Sequence, residues 1–294
     1  AVVVGVFPII RRLLQRLETL QRSVQRFGEG DLSVRVSEQG QDEVADLARQ
    51  FNAAATRIEA LVKTHKSLLA NASHELRSPL TRIRMGLELM GGNQPSPAFR
   101  EEILRNIAEL DQLVDEILLA SRLDAREADV GTVELVDLIG LAAEECARVD
   151  AELDVTAVPE GLEVRGVAKL LRRALRNLLE NARRYSQGDI TVVLQRHDGQ
   201  AQLSVLDRGP GVPPALRERI FEPFYRLPGA SERAGGVGLG LALVRSIAQR
   251  HNGSVRCEDQ PDGSGGACFV LRLPLHSRPG TAAPAPQREG TGAK

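Results

Sequence analysis

The apolar residues near the start of this chain follow the spacing of a coiled coil. From Ile10 to Phe27, and again from Val44 to Leu61, they recur at steps of three and four residues. Such a pattern draws an apolar stripe along one face of a helix, and the stripe is buried only against another helix. Glycines in "GEGDLS" at 28–33 separate the two stretches. The sequence therefore predicts two short parallel helices that bury their seams by dimerising.

The second seam continues beyond Leu61 to Leu87, but its steps change from a 7-residue to an 11-residue pattern. This change relaxes left-handed supercoiling, so the helix is expected to be nearly straight. A glycine pair at 91–92 predicts its end. The next helix is predicted to begin at Pro97 with Ser96 as its N-cap. Its apolar residues also step by four and three, which indicates an antiparallel hairpin, and two such hairpins make a four-helix bundle.

After about residue 126 the pattern changes to alternating helices and strands. Amphipathic helices are predicted over 167–184 and 238–250, and two β-branched runs around "HDGQ" predict a β-hairpin over 189–207. Two closing strands are expected within 254–275. Helices together with a mixed sheet predict a compact α/β sandwich. Residues 277–294 are rich in Pro, Gly and Ala and are predicted to be disordered.

Charge and cysteine content exclude several classes of function. The formal net charge is -1, so no basic field favours nucleic acid as a partner. Cys146, Cys257 and Cys268 have neither CxxC nor His/Cys ligand spacing, which favours a reducing compartment and apolar packing over a zinc site.

The first ten residues, "AVVVGVFPII", are almost all apolar and lead directly into Arg11 and Arg12. Ten residues are too few to cross a bilayer, which takes about 20. We interpret the stretch as the cytoplasmic end of a transmembrane helix, with the two arginines following the positive-inside tendency. The alternative is the buried start of a helix in a soluble protein.

His74 is predicted to face water. It lies two residues from seam positions on either side, and at about 100° per residue that places it on the opposite face of the helix. Ser78 is one turn further on the same face. Glu75 can hydrogen-bond one imidazole nitrogen and leave the other nucleophilic. Pro79 cannot donate to the carbonyl of Glu75, so a bend is expected beside the histidine. Taken alone, His74 is better explained as an incidental surface residue, and its neighbours change that interpretation.

The stretch "HELRSPLTRIR" at 74–84 resembles the phosphoacceptor box of sensor histidine kinases. The resemblance implies that His74 takes the phosphoryl group and that Glu75 acts as the base. Ser78 departs from the family, which commonly has Thr or Asn there to position water for dephosphorylation of the regulator. A serine retains the hydroxyl. Upstream, "GDLSVRV" and "DEVADLARQFN" resemble a HAMP signal-relay domain, although an ordinary coiled-coil spacer is the competing interpretation.

Glycines 236, 238 and 240 open a predicted helix, where backbone N–H groups and the helix N-terminus can hold a triphosphate. The pattern is neither a dinucleotide fingerprint nor a P-loop. Together with three earlier motifs it resembles the N, G1, F and G2 boxes of the histidine-kinase ATP-binding domain, a Bergerat-type fold. The four motifs are "RNLLENARRY" (176–185), "DRGPG" (207–211), "FEPFYR" (221–226) and "GGVGLGLALV" (235–244).

This resemblance implies a site for ATP and Mg²⁺. Asn181 with Asn177 would bind Mg²⁺, whose preferred ligands are oxygens, and Asp207 would accept from the adenine amine. Arg226 would meet the γ-phosphate during transfer, neutralising charge on the transferring group. Tyr185 would lie against adenine. The residues assigned to nucleotide binding are Asn177, Asn181, Arg184, Tyr185, Asp207, Gly209, Gly211, Gly236, Gly238 and Gly240.

The resemblance also implies a domain order. The expected segments are the end of a transmembrane helix (1–9), a HAMP-like domain (10–62), a dimerisation and phosphoacceptor hairpin (63–124), an ATP-binding domain (125–276) and a tail (277–294). The implied protein is a homodimeric kinase anchored in the bacterial plasma membrane, with cytoplasmic catalytic domains. It would pass the phosphoryl group from His74 to an aspartate in the receiver domain of a response regulator, and Ser78 would serve the reverse dephosphorylation.

Two other classes of function remain to be weighed. ATPases of the gyrase, chaperone and mismatch-repair type share the nucleotide fold but carry a glutamate where this chain has Asn177, so the general base for hydrolysis is missing. They also lack a phosphoacceptor hairpin. A non-catalytic ATP-binding scaffold is the second alternative, and the intact boxes argue against it.

Overall fold

The computed structural model describes residues 2–89, 96–124, 131–158, 161–186, 188–228, 237–263 and 265–276. The chain divides into two compact units, residues 1–111 and 112–294. The glycine pair at 91–92, Gly236 and the predicted tail at 277–294 lie outside the described residues.

Long helices form the first unit. Helix α1 spans Val2–Gly28, α2 spans Glu43–Leu89, and α3 spans Pro97–Asp124 and so continues past the boundary between the units. The predicted start of α3 is confirmed, since the Ser96 hydroxyl accepts from the backbone N–H of Phe99 at 3.3 Å. Among the described residues, none of the helices has the length and hydropathy that a membrane span requires.

The connector between α1 and α2 is fixed to α2 by side-chain bonds. The Asn52 amide pairs with Val36 twice, accepting from its N–H at 2.9 Å and donating to its carbonyl at 2.8 Å. Arg16 of α1 reaches Asp42 at 2.9 Å. The rings of Phe27 and Phe51 meet edge to face with centroids 5.6 Å apart.

The coiled-coil seam is largely uncovered in a single chain. Leu20 and Ala72 are buried, but most of the large seam residues are between 39% and 54% exposed. These exposed residues are Ile10, Leu13, Leu17, Val24, Leu47, Ile58, Leu61, Leu69, Leu80 and Leu87. An apolar stripe of this length is costly in water at about 25 cal/mol per Å², so the prediction that the helices dimerise is consistent with this surface.

The second unit is built on a five-stranded mixed sheet in the order β2-β4-β5-β7-β6, beside a two-stranded ribbon of β1 and β3. Among the strands that the structure describes, only the β2–β4 pair is parallel. Helix α5 contacts α4 and α6, and all three pack against the sheet. The elements are β1 (Glu134–Asp137), α4 (Leu138–Val149), β2 (Glu152–Asp154), β3 (Glu163–Gly166), α5 (Ala168–Tyr185), β4 (Thr191–His197), β5 (Gln200–Leu206), α6 (Gly240–Arg250), β6 (Ser254–Glu258) and β7 (Cys268–Pro274).

The predicted α/β sandwich is confirmed, and its principal elements lie where the patterns place them. Helices α5 and α6 match the two amphipathic segments, and β4 and β5 form the predicted hairpin. Asp198 and Gly199 both have positive φ (46° and 73°), the conformation of a two-residue type I′ turn. The apolar spacing of the sequence did not predict α4 or the short strands β1, β2 and β3.

A buried carboxylate joins α4 to α5. The Glu145 side chain is 2% exposed. Its carboxylate accepts hydrogen bonds from Nε and Nη2 of Arg176, each at 2.9 Å. Arg172 approaches the same carboxylate at 3.3 Å and also pairs with the exposed Glu144. The bidentate guanidinium of Arg176 lowers the pKa of Glu145 below its usual range. The position of α5 in the unit therefore depends on a paired buried charge.

We expect Glu145→Gln to lower the free energy of unfolding by about 3 kcal/mol, because removing one member of a buried ion pair leaves the other uncompensated. Glu144→Gln is the matched control. Its side chain is 63% exposed and shares Arg172, so the change should stay below about 1 kcal/mol. Urea denaturation of the full chain, followed by circular dichroism, measures both. Equal destabilisation by the two variants would contradict the role given to Glu145.

The pH dependence of this contribution has a definite sign. Because folding lowers the pKa of Glu145, its stabilisation is complete above the unfolded-state pKa and is lost as the pH falls through the folded-state value. The stability difference between wild type and Glu145→Gln should therefore be constant near neutrality. It should shrink below about pH 4, where an unfolded Glu titrates.

Candidate functional site

His74 occupies the outward face of α2, as the seam spacing predicts. His74 and Ser78 are exposed, whereas Ala72 and Pro79 on the other side are buried. Glu75 is half-buried beside the histidine. The α-helix continues through Pro79 without a break, and a bend at that point stays a prediction. The imidazole and the hydroxyl are both open to an approaching group.

A polar contact fixes the hairpin two turns after His74. The Arg82 side chain donates to Asn106 Oδ1 and Glu109 Oε2 of α3, each at 2.8 Å. Asn106 is 6% exposed, so part of this contact is removed from water. The arginine, one turn beyond Ser78, therefore ties α2 to α3 close to the exposed histidine.

Asp207, directly after β5, is a buried carboxylate. It is 3% exposed, and its Oδ1 accepts from the backbone N–H of Gly209 at 2.8 Å and of Ala267 at 3.3 Å. Burial raises the pKa of Asp207, and the two N–H bonds act in the opposite direction. A carboxylate held in this way is a strong acceptor for a polar group that enters the site.

Glycines are required where the chain crosses near Asp207. A Cβ at Gly209 would lie 2.7 Å from the carbonyl oxygen of Tyr185, and one at Gly211 would lie 2.9 Å from that of Gly266. A Cβ at Gly266 would collide with the Asp207 carbonyl oxygen. The sequence reading did not include Gly266. The glycine cluster at 263–266 was the available signal.

Asn177 of α5 connects to the start of α6. It is 5% exposed, and its Nδ2 donates to the carbonyl of Gly240 at 3.0 Å. The amide nitrogen is thus committed, and the oxygen is the atom that Asn177 can offer to a metal ion. Amide oxygens suit Mg²⁺. Asn181 follows one turn later and is half-buried.

The F and G2 motifs meet through their backbones. The N–H of Phe224 donates to the carbonyl of Gly238 at 2.9 Å. Gly238 has φ of +80°, and a Cβ there would lie 2.9 Å from the Phe224 carbonyl carbon. Phe224 itself has φ of 63°, which is uncommon for a non-glycine residue. Arg226, two residues further, is half-buried.

Three contacts therefore join the predicted motifs: Asn177 with Gly240, Tyr185 with Gly209, and Phe224 with Gly238. The other predicted residues lie on the same elements within four residues of these contacts. They are Asn181, half-buried on α5, Arg184, exposed at the end of α5, and Arg226. The buried acceptor, the crowded glycines and the amide oxygens fit a nucleotide with Mg²⁺.

Family models match three consecutive parts of the chain. The HAMP domain matches residues 9–60, the His Kinase A (phospho-acceptor) domain residues 64–126, and the histidine kinase-, DNA gyrase B- and HSP90-like ATPase residues 166–277. This order, with a helical relay and hairpin before an α/β ATP-binding domain, defines a class of signalling protein. The chain belongs to the sensor histidine kinases.

Curated relatives are similar in sequence to this chain over most of its length. The sensor protein RstB of Escherichia coli (strain K12) is 36% identical over 276 residues, covering 92% of this chain and 63% of that protein. The sensor histidine kinase CpxA of the same strain is 36% identical over 247 residues, covering 82% and 54%. The chain thus spans between about half and just under two thirds of the length of these relatives.

Solved structures support the fold. Acinetobacter baumannii histidine kinase AdeS aligns with a TM-score of 0.57 at 22% identity, covering 69% of this chain and 98% of that one. Histidine kinase ThkA in complex with response regulator TrrA aligns with a TM-score of 0.59 at 24% identity, covering 80% and 68%. At these identities the similarity concerns the fold alone.

We expect Asp207→Asn to weaken ADP binding by about tenfold or more, the scale for losing a hydrogen bond to a charged acceptor. Protonation removes the same acceptor, and burial raises the pKa of Asp207. Wild-type affinity should therefore fall as the pH drops, and the fall should begin at a higher pH than for an ordinary carboxyl group. Asp207→Asn should bind weakly at every pH. Calorimetric titration measures both.

Asp259→Asn is the control for that experiment. Its side chain is 79% exposed and pairs with Arg217, so nucleotide affinity and its pH dependence should match those of the wild type. A wild-type affinity that does not change with pH would exclude the ionised Asp207 as the acceptor.

Proposed function

We propose that this chain is the cytoplasmic part of a membrane-anchored sensor histidine kinase. It phosphorylates His74 from Mg²⁺·ATP and transfers the phosphoryl group to an aspartate of a response regulator. The observation that carries the proposal is the exposed imidazole of His74, on the outer face of α2, in a chain that also holds the buried carboxylate of Asp207.

In the proposed reaction an imidazole nitrogen of His74 attacks the γ-phosphorus. The bond to the bridging oxygen breaks and ADP leaves. Glu75, adjacent to the histidine, accepts the imidazole proton. Arg226 neutralises charge on the transferring group, since phosphoryl transfer depends mainly on positioning and electrostatic stabilisation. Asn181 and Asn177 would hold Mg²⁺, which would supply positive charge to the phosphate oxygens.

The remaining assignments concern how the nucleotide is held. Asp207 accepts from the adenine amine, and Tyr185 lies against the base. The backbone N–H groups around Gly238 and Gly240, at the start of α6, face the phosphates. Arg184, a planar guanidinium, offers two parallel donors to a phosphate oxygen pair.

The amide at position 177 separates this function from that of the related ATPases. A carboxylate there would activate water, but Asn177 carries no such base and its nitrogen is bound to Gly240. Bound nucleotide is therefore protected from hydrolysis until a histidine is presented. The phosphoacceptor family model matches residues 64–126, a range that contains His74, and this supports a kinase over a scaffold.

Dimerisation and membrane anchoring complete the proposal. The exposed seam from Ile10 to Leu87 is covered in a homodimer, where each chain provides the partner stripe. Residues 1–9 form the end of a transmembrane helix, and Arg11 and Arg12 mark the cytoplasmic side of the bacterial plasma membrane. The domains are the HAMP relay (10–62), the hairpin (63–124) and the ATP-binding domain (125–276).

The proposed partner is a receiver domain. The ThkA structure was solved in complex with response regulator TrrA, and its fold matches 80% of this chain. On this chain a receiver would reach the exposed face of α2 that carries His74 and Ser78. The phosphoryl group then passes from the imidazole nitrogen to a carboxylate oxygen of the regulator.

Incubation with γ-labelled ATP and Mg²⁺ tests the kinase directly. We expect acid-labile, alkali-stable label on the wild-type chain and none on His74→Gln, because phosphohistidine forms only at that imidazole. His65→Gln, about two and a half turns earlier on the same helix and also exposed, is the matched control and should label normally. Label that persists in His74→Gln would overturn the assignment.

Ser78→Ala tests the phosphatase role. The Ser78 hydroxyl lies one turn from His74 on the exposed face and can orient a water molecule. We expect the variant to autophosphorylate normally but to dephosphorylate the phospho-regulator about tenfold or more slowly, within the range for a lost positioning contact. Ser73→Ala is the control, since its hydroxyl bonds to the Leu69 carbonyl at 2.8 Å. An unchanged rate in Ser78→Ala excludes the role.

A further inference from the structure

Gln260, between β6 and β7, is a buried polar residue outside the four nucleotide motifs. It is 6% exposed, and its Nε2 donates to the backbone carbonyl of Asp207. The two residues are 53 positions apart in the sequence. A buried amide is costly unless it is bonded, so its retention here needs a structural reason.

The Asp207 carbonyl lies where the β5–β7 ladder ends. The last registered pair is Leu206 with Cys268, and the Asp207 N–H still bonds to the Ala267 carbonyl at 3.0 Å. Gly266 then passes directly against the Asp207 carbonyl oxygen. In place of a strand neighbour, the side chain of Gln260 donates to that oxygen.

Asp207 is thereby held at three points. Its N–H bonds to Ala267, its carbonyl accepts from Gln260, and its Oδ1 accepts from Gly209 and Ala267. With both backbone groups fixed, rotation about the Cα–Cβ bond is the main remaining freedom of the carboxylate. Two N–H groups on Oδ1 restrict that rotation. The direction of the carboxylate is set largely by the loop that carries Gln260.

Other contacts attach the same loop to the G1 motif. Gly211 packs against the Gly266 carbonyl, and Arg208 pairs with Asp262 at 3.3 Å. Arg217 pairs with Asp259. Gln260, Asp262 and Gly266 of this loop therefore lie beside Asp207 and the G1 motif.

We propose that Gln260 is a positioning residue of the adenine subsite, which it serves by fixing the main chain of Asp207. This inference rests on the proposed nucleotide-binding role of Asp207. It adds the β6–β7 loop to the determinants of base recognition. Gln260 acts at the base end of the nucleotide, so it affects binding and base selectivity and not the transfer step at the phosphates.

The test compares Gln260→Met with Gln202→Met in the full chain. Methionine has similar length but no donor. Gln202 is equally buried (7% exposed) and bonds to Arg272 and Ser204, but it lies in β5, about 16 Å along the strand from Asp207. Both variants lose a buried amide, and only one of these amides contacts the site.

For Gln260→Met we expect about a tenfold rise in the dissociation constant of Mg²⁺·ADP by calorimetry, within the range for an unsatisfied buried acceptor. The KM for ATP in autophosphorylation should rise in parallel, with kcat unchanged, and the preference for ATP over GTP should fall. Gln202→Met should change none of these, even where both variants melt at a similarly lower temperature.

Each result is decisive. Equal weakening by the two variants, or wild-type affinity and selectivity in Gln260→Met, overturns the positioning role. If the wild-type chain itself fails to bind Mg²⁺·ADP, the proposed function is overturned as well. That outcome is distinct from a failure of the positioning role alone, in which the wild-type chain still binds. If Gln260→Met does not fold, Gln260→Asn, which keeps the amide but withdraws it by one methylene, should show the same rise in KM with unchanged kcat.

Discussion

The candidate site depends on keeping the carboxylate of Asp207 out of water. A buried carboxyl group favours its neutral form unless donors surround it, and the chain supplies them from the backbone of Gly209 and Ala267. Backbone donors can approach this closely only where side chains are small. The buried acceptor therefore requires glycine at positions 209 and 266. It also requires the β6–β7 loop to pass close to Asp207.

Helix α5 carries the other half of the site and is held from both sides. Arg176 anchors it to the buried Glu145 of α4, and the adjacent residue, Asn177, joins it to Gly240 at the start of α6. The ion pair and the amide contact are neighbours in sequence. The packing of α4 consequently sets the position of the amide oxygens, so the stability of the unit and the proposed Mg²⁺ site depend on the same helix.

The spacing of apolar residues in the sequence predicted much of this arrangement. It missed the elements and contacts that have no repeating local pattern. The seam spacing placed His74 on the exposed face, and the "HDGQ" turn located the β4–β5 hairpin, because both signals repeat over short distances. Strands of three or four residues such as β2 carry too few positions to show an alternation. Gln260 contacts Asp207 across 53 residues, and nothing in either segment specifies that pairing.

The first unit provides a continuous path between the relay and the phosphoacceptor. Asn52 fixes the connector to α2, and His74 lies 22 residues further along the same helix, or about 33 Å at 1.5 Å per residue. Both residues lie within the single helix Glu43–Leu89, so the backbone between them is continuously helical. A rotation of α2 at the connector must therefore turn the face that carries His74. The exposed seam must be covered by a partner helix. The packing of the two seams against each other would stabilise one rotational register of α2 or another.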